Sequence, residues 1–329
     1  MNILFISIAF YDYIGQIKSA MENTLGADVD CLIVGRYQGN ILESFAGLVS
    51  RGKTDRKLAR KRQEEFFLAH TQKQYDYIFV LVGVGLERDL FQEFLKKQQK
   101  ARKILYLWDD MRRVPNFHET RELVDEIWSS DSEDCAQHGF QFLPLFYCDP
   151  YRYHGEEKNI DISVTGSLHT DRQRIIEKVL VDFPQEKYKW YARMVPAMRY
   201  AAKLWLKGKG RFPFYVSYQT IPQQENAQIL KQSKVVLDMP FASQAGLSIR
   251  TFEALAAHTK MVTTNAHIKE YDFYNPENIL IIDRNHPIID LEFINKPYQP
   301  LRDELEEKYS ISSWLKTLFG NTAETRGGL

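Results

Sequence analysis

VVLDMPFASQAGLSIRTFEALAA, residues 235–257, reads as a strand, a loop and a helix. Val235 to Met239 is a short apolar run of the kind that fills a parallel sheet. In the helix that follows, Ile249, Phe252, Leu255 and Ala256 share a buried face, and Arg250, Glu253 and Ala257 fall on the other. Arg250 therefore sits in the first turn, where the positive end of the helix dipole disfavours a cation. A bound anion removes the conflict. Gly246 permits close backbone approach, so the loop Gln244, Gly246, Leu247 and Ser248 is expected to offer amides to a diphosphate that Arg250 also grips. Glu253, one turn on, is placed for ribose hydroxyls. The alternative is a plain Arg250–Glu253 pair at i,i+3, worth about 0.2–0.5 kcal/mol.

A second stretch repeats the anomaly. IDISVTGSLHTDRQR, residues 160–174, is a strand, a Gly-containing loop and a helix start. Thr170 suits a cap and Asp171 a first turn, but Arg172 does not. Gly166 and Ser167 would present amides and a hydroxyl at a strand's carboxyl end. A tight turn with a solvated arginine is the competing explanation.

Outward from these loops, short apolar runs alternate with longer amphipathic stretches, the pattern of α/β folding on parallel sheets. Strands are expected near 2–9, 29–34, 77–82, 103–107, 126–129 and 141–146, with helices at 13–25, 55–72, 87–100 and 116–124. The stretch 148–158 lacks periodicity and reads as a linker. A second series follows, with strands near 160–165, 188–192, 213–218, 234–239, 260–264 and 279–283, and helices near 171–183, 195–207, 222–232, 247–258 and 299–319. The expectation is two Rossmann-like α/β domains, 1–150 and 151–320, facing each other across a cleft, with ligands at the carboxyl ends of strands. Residues 321–329 (NTAETRGGL) read as a disordered tail or a non-native remnant.

Composition narrows the classes. Forty-three Lys+Arg balance 43 Asp+Glu, so no global field draws the chain to nucleic acid, and any anion site is local. Cys31, Cys135 and Cys148 show no metal or disulfide spacing, which fits a reducing cytoplasm. The N-terminus MNILFISIAF lacks a basic leader and reads as a first strand, and no run approaches the roughly 18 apolar residues of a membrane span.

QAGLSIRTFEALAAHTKMVTTN (244–265), with VTGSLHTDR, YLWDD, FLPLFY and IKEYDFYNPENILIIDR, resembles bacterial glycosyltransferases of the GT-B fold that build capsular, exo- and lipopolysaccharides. The similarity runs nearly to Phe319. It implies a nucleotide-sugar in the C-terminal domain, with Arg250 on the diphosphate, Glu253 on the ribose, Gly166, Ser167 and Arg172 on the phosphate side, and Thr220-Ile221 flanking the base. Many retaining members carry an acid eight residues before the glutamate equivalent to Glu253; here Ala245 stands there, which favours inversion. An inverting transfer needs a general base on the acceptor hydroxyl, expected from the N-terminal domain. Asp109, at the end of the strand ILYLWD, is the first candidate and Asp12, after the first strand, the second. A cap or loop hydrogen bond is the alternative role for Asp109.

No cofactor or metal ion is expected. Asp28-Val29-Asp30 precedes a strand and is a chance match to a DxD motif, the eight histidines lack metal spacing, and Ser129–Asp134 reads as a strand end followed by helix-capping acids. Thr263-Thr264-Asn265 ends a strand near the donor site, either turning the chain or reaching the sugar. Residues 187–218 hold eight Lys/Arg, nine aromatics and no acid, which suits an anionic membrane surface or a lipid-diphosphate acceptor, or else a core strand and helix with a solvated basic face. Arg51–Arg62 allows the same two readings. The leading expectation is a cytoplasmic glycosyltransferase, peripheral on the membrane's inner face if that patch binds lipid, passing a sugar from a nucleotide-sugar donor to a saccharide or lipid-linked acceptor. An epimerase of the same fold and a noncatalytic nucleotide-sugar-binding subunit are the alternatives.

Overall fold

Eleven strands in the computed structural model, which describes residues 1–9, 12–35, 53–115, 117–196, 205–206 and 211–320, form two wholly parallel sheets. They belong to two units, Met1–Pro144 with the chain from Leu315 onward, and Leu145–Trp314. Tyr151, within the stretch read as a linker, is buried in the second unit.

In the first unit the chain runs β1 (Asn2–Ile8), α1 (Tyr13–Leu25), β2 (Asp28–Val34), α2 (Lys53–His70), β3 (Tyr77–Leu81), α3 (Arg88–Leu95), β4 (Arg102–Leu107), α4 (Phe117–Arg121), β5 (Glu126–Ser129), α5 (Ser132–His138) and β6 (Gln141–Phe142). The strand order is β2-β1-β3-β4-β5-β6. Ile3 to Ile6 and Ile78 to Val80 are completely buried, as unbroken apolar runs must be when helices cover both faces of a sheet.

The second unit runs β7 (Ile160–Leu168), α6 (Arg172–Asp182), β8 (Trp190–Pro196), α7 (Gln223–Lys231), β9 (Ser233–Asp238), α8 (Ile249–Ala256), β10 (Lys260–Thr263), β11 (Ile279–Ile281), α9 (Leu291–Asn295) and α10 (Asp303–Glu307), and α11 (Ile311–Phe319) follows. Its order is β11-β10-β9-β7-β8. Each sheet therefore has its first strand between its second and third, and the order reverses at β1/β3 and at β7/β9. Such reversals are where open α/β sheets bind ligands.

Register at the second reversal matters. β7 pairs with β9 from Ile160↔Ser233 to Ser163↔Val236, whereas with β8 it continues to Leu168↔Pro196. Beyond Ser163 the strands β7 and β9 part, leaving a crevice between Thr165–Leu168 and Leu237–Met239.

Several expected elements differ. Residues 213–218 form a turn with one bridge, Met194↔Val216, and no strand. The expected helix 299–319 is broken into α10 and α11, because Tyr309 and Ile311 exchange backbone hydrogen bonds with Tyr147 and Ser310 Oγ then caps a new helix at Ser313 N. Helix 87–100 stops at Leu95, where apolar residues give out, and strand 141–146 stops before Pro144, which lacks an N–H for the ladder. Most of the helix expected at 195–207, with Lys203 and Lys207, lies outside the described residues, as do Lys209, the tail 321–329 and the start of the basic run at Arg51.

Candidate functional site

The crevice where β7 and β9 separate is bridged by Arg172. Its Nε donates to the Met239 carbonyl at 2.7 Å, and one terminal nitrogen donates to the Ser167 carbonyl at 2.8 Å, so one guanidinium holds both strand ends. These are neutral acceptors. Arg172 makes no ion pair among the described residues, and burial pushes its pKa down, helped by the nearby charges of Arg250 and Arg284 and opposed by those of Asp238 and Asp171. Gly166, beside it, has φ +128, a conformation that favours glycine, and a Cβ there would meet nothing closer than the guanidinium at 3.9 Å. Thr170 has φ +54, costly for a β-branched residue, at the turn into α6.

Two further arginines flank it. Arg284 clamps Asp171 through both carboxylate oxygens (2.7 and 3.1 Å) and also donates to the Pro240 carbonyl and Thr264 Oγ1. That contact holds Asp171 down to about 2 and leaves Arg284 a brace between loops. Arg250 lies 3.0 Å from a Glu253 oxygen and 3.3 Å from Asn226 Oδ1, and Asn226 also binds Thr165 Oγ1 and the Tyr151 hydroxyl. The i,i+3 pair allowed by the sequence is thus present, though on a different kind of surface. Helix α8 is buried nearly all round, with Glu253 1% exposed and Ala257 fully covered. As placed, Glu253 is the buried partner of Arg250 and has no open face for a ribose.

Asp238, at the end of β9, supplies buried negative charge. Burial pushes its pKa up, opposed by Ser248 Oγ donating at 2.9 Å and by the nearby charges of Arg172 and Arg250. Ser248 occupies the N-cap position of α8 without capping it, its hydroxyl being turned to Asp238. Gln244 and Leu247 are buried, so any part they take in a site is played by main chain. Asn265 is also buried, and its amide reaches the carbonyls of Gln244, Ala245 and Gly246 rather than open space. Thr220 and Ile221 lie in the loop entering α7, six and five residues before Asn226.

The first unit carries the catalytic candidates. Asp109 follows β4, and its carboxylate accepts no hydrogen bond among the described residues; burial pushes its pKa up, with Arg113 pulling down and Asp110 adding to the rise. The neighbour does the structural work. Asp110 is 1% exposed and accepts from Arg112 N, Arg112 Nε and Arg113 Nε. Asp12 is exposed at the start of α1 and makes no side-chain cap. Nearby strand ends are tightly built: Val82 has φ 68 at the centre of a γ-turn closed by Gly83 N to Leu81 O, and a Cβ on Gly85 would lie 2.7 Å from Gly35 Cα.

Other motifs prove structural. Asp28 and Asp30 share Lys73 at the start of β2, and Asp131 caps α5 through Glu133 N and Asp134 N. No three His, Cys, Asp or Glu side chains converge to hold a metal ion, and no helix is long and apolar enough to cross a membrane, among the described residues.

No protein-family model matches the sequence, and no curated protein matches it. Solved structures do match. The Anabaena protein Alr3699/HepE in complex with UDP and glucose superposes with a TM-score of 0.60 at 12% identity, over 97% of this chain and 98% of that one. The fold is GT-B. The apo lipopolysaccharide outer core galactosyltransferase WaaB gives 0.51 at 12% identity, over 97% and 99%, and a Listeria monocytogenes putative UDP-N-acetylglucosamine 2-epimerase gives 0.51 at 11%, over 96% and 94%.

Sequence reasoning missed Asp238, Asn226, Arg284 and the bracing role of Asn265. Two of these had a visible signal: Asp238 is an acid ending an apolar strand, and Asn226 is a polar residue beside Ala227, Ile229 and Leu230 on a helix.

Proposed function

We propose that the protein is a glycosyltransferase that binds a nucleoside diphosphate sugar in the second unit and passes the sugar to a saccharide or lipid-linked acceptor. The observation that carries this reading is Arg172, a partly buried guanidinium that forms no ion pair among the described residues, at the point where β7 and β9 part. A diphosphate adds negative charge where Arg250 and Arg284 act on Arg172 as like charges, and Arg172 and Arg250 gain most when the leaving group takes up charge in the transition state. The arginines and main-chain amides suffice for that task, so the reading calls on no metal ion.

For the acceptor step we take Asp109 as the general base. A carboxylate that accepts no hydrogen bond and whose pKa burial has raised is suited to receive a proton, whereas Asp110 is tied to two arginines. Inversion is the expected outcome, because Ala245 stands where many retaining members of the resembled family carry an acid. Glu119, with Glu87 and Asp89 that both pair with Arg60, lines an open concavity of about 540 Å³ in the first unit, a polar surface of the kind a saccharide could meet. The basic, aromatic stretch 187–218 would hold the enzyme on an anionic membrane carrying a lipid-linked acceptor.

An epimerase would need acid and base groups that exchange protons in the donor site itself. The acids near Arg172 and Arg250 are Asp238, which accepts from Ser248, and Glu253, which pairs with Arg250, so the geometry favours transfer. A panel of nucleotide sugars, with and without acceptor saccharides, tests the proposal: donor turnover that depends on acceptor supports it. Conversion of the sugar without acceptor supports epimerisation, and donor binding without any turnover supports a noncatalytic subunit.

A further inference from the structure

We infer that Arg284 is the positioning residue that holds Arg172 at the crevice, an inference that rests on the donor-site reading above. Arg284 follows β11 in the chain, and its side chain is 17% exposed. Four of its five N–H groups are engaged. Nε and one terminal nitrogen donate to the two oxygens of Asp171, at 3.1 and 2.7 Å, and the other terminal nitrogen donates to the Pro240 carbonyl at 2.8 Å and to Thr264 Oγ1 at 2.7 Å. From its own place after β11, one planar group thus ties together the chain segments that follow β7, β9 and β10.

Asp171 precedes Arg172, and Pro240 follows Met239, whose carbonyl Arg172 binds. Two guanidinium bridges therefore cross the same gap, their anchors one residue apart on either bank. The sheet cannot set the width of that gap, since β7 and β9 pair only as far as Ser163↔Val236. Side chains must do so. Thr170, immediately before Asp171, is held at φ +54, a costly conformation that persists only where the surroundings over-determine it, and the two-pronged clamp on Asp171 supplies such a restraint. The clamp also turns the Asp171 carboxylate onto Arg284 and, at 3.2 Å, Arg174, so that it makes no ion pair with Arg172 although the two residues adjoin. Among the described residues the Arg172 bonds to Met239 and Ser167 use two of its five N–H groups. Arg284 is committed to the fold and touches no ligand in this scheme. It acts through Arg172.

The test titrates UDP, GDP, ADP and dTDP by calorimetry into the full-length wild type, Arg172→Ala, Arg284→Lys, Asp171→Ala and the double variant Arg172→Ala, Arg284→Lys, with circular dichroism to show that each is folded. Lysine keeps the charge of Arg284 but not the fork that spans Asp171 and Pro240. The tightest diphosphate should bind about five- to tenfold more weakly to Arg284→Lys and to Asp171→Ala. The sign of the second result is diagnostic, because deleting an acid beside a phosphate site would through its field alone tighten binding. In the double variant Arg284→Lys should add no loss to that of Arg172→Ala, since a residue that acts through Arg172 then has nothing to position. An equal loss in both backgrounds overturns the inference and marks Arg284 as a direct contact or a general support of the fold. Should no diphosphate bind, or should Arg172→Ala leave its affinity unchanged, the donor-site reading fails and the role of Arg284 with it. Weakening by Arg172→Ala alone, or tighter binding to Asp171→Ala, overturns the Arg284 inference alone. If neither Arg284→Lys nor Asp171→Ala folds, Thr264→Val decides, because it removes one Arg284 bond and changes no charge: weaker diphosphate binding supports the inference and unchanged affinity overturns it.

Discussion

Replacing Arg172 with alanine separates binding from stability more cleanly than any other change at this site. Among the described residues the guanidinium hydrogen-bonds to the Met239 and Ser167 carbonyls; Ser167 is exposed, so water can replace that bond, whereas Met239 is buried and its carbonyl would be left without a donor. The two lost bonds are charge-assisted, at about 1.5–3 kcal/mol each, while removing a cation that burial disfavours and letting water reach Ser167 return part of this, so the unfolding free energy should fall by about 1–3 kcal/mol. Binding is different. A hydrogen bond to a charged partner is worth about 1.5–3 kcal/mol, which converts to a roughly 10- to 150-fold weaker nucleoside diphosphate. Isothermal calorimetry measures the affinity, and urea denaturation the stability. Unchanged affinity in a variant of unchanged stability would refute the assignment of the crevice as a phosphate site. A fall in stability well beyond about 3 kcal/mol would refute the view that Arg172 serves binding more than folding.

Arg250→Ala should behave otherwise, lowering stability by about 3–5 kcal/mol, because it strands the buried carboxylate of Glu253; denaturation of Arg250→Ala beside an Arg250→Met, Glu253→Gln double variant checks this, since the double change should recover most of the loss. Asp109→Asn should abolish most turnover, leave donor affinity intact and raise stability at neutral pH. Folding binds the Asp109 proton more tightly than the unfolded chain does, so the wild type loses stability as pH rises through 3.8 to the higher folded value, and the gain of the variant should vanish below 3.8. Asp171→Asn has the opposite sign: the wild type's advantage is full above 3.8 and disappears as pH falls to about 2, which denaturation across that range reads directly. Gln at Lys203, Lys207, Lys209 and Arg211 together should weaken sedimentation with anionic vesicles in a salt-dependent way, at on the order of 1 kcal/mol per charge, and leave nucleotide binding unchanged.

Much of the architecture was legible because parallel strands buried on both faces are written as uninterrupted apolar runs. NILFISI, YIFVL and KVVLD can hardly be anything else, and helix α1 ends at Leu25 because Gly26 supplies a left-handed cap. The failures have particular causes. Phe212 to Tyr218 has the aromatic content of a strand, but Pro213 removes a ladder donor and the segment turns instead. Helix α8 was read as half exposed because Arg250 and Glu253 are charged, yet the charges neutralise each other under cover, which periodicity cannot reveal. The misfit cations Arg172 and Arg250 were readable from the helix dipole alone. Their supports were not, since Asp238, Asn226 and Asn265 act through partners 10, 75 and 20 positions away in the chain, contacts that only the folded sheet brings about.

The central claim is that a nucleoside diphosphate completes the charge at the crevice between β7 and β9. A crystal structure of the full chain with the nucleoside diphosphate that calorimetry selects tests it most directly. The diphosphate should lie within hydrogen-bonding distance of the Arg172 guanidinium. A diphosphate bound elsewhere on the chain, or a crevice left without it at saturating concentration, would contradict the account.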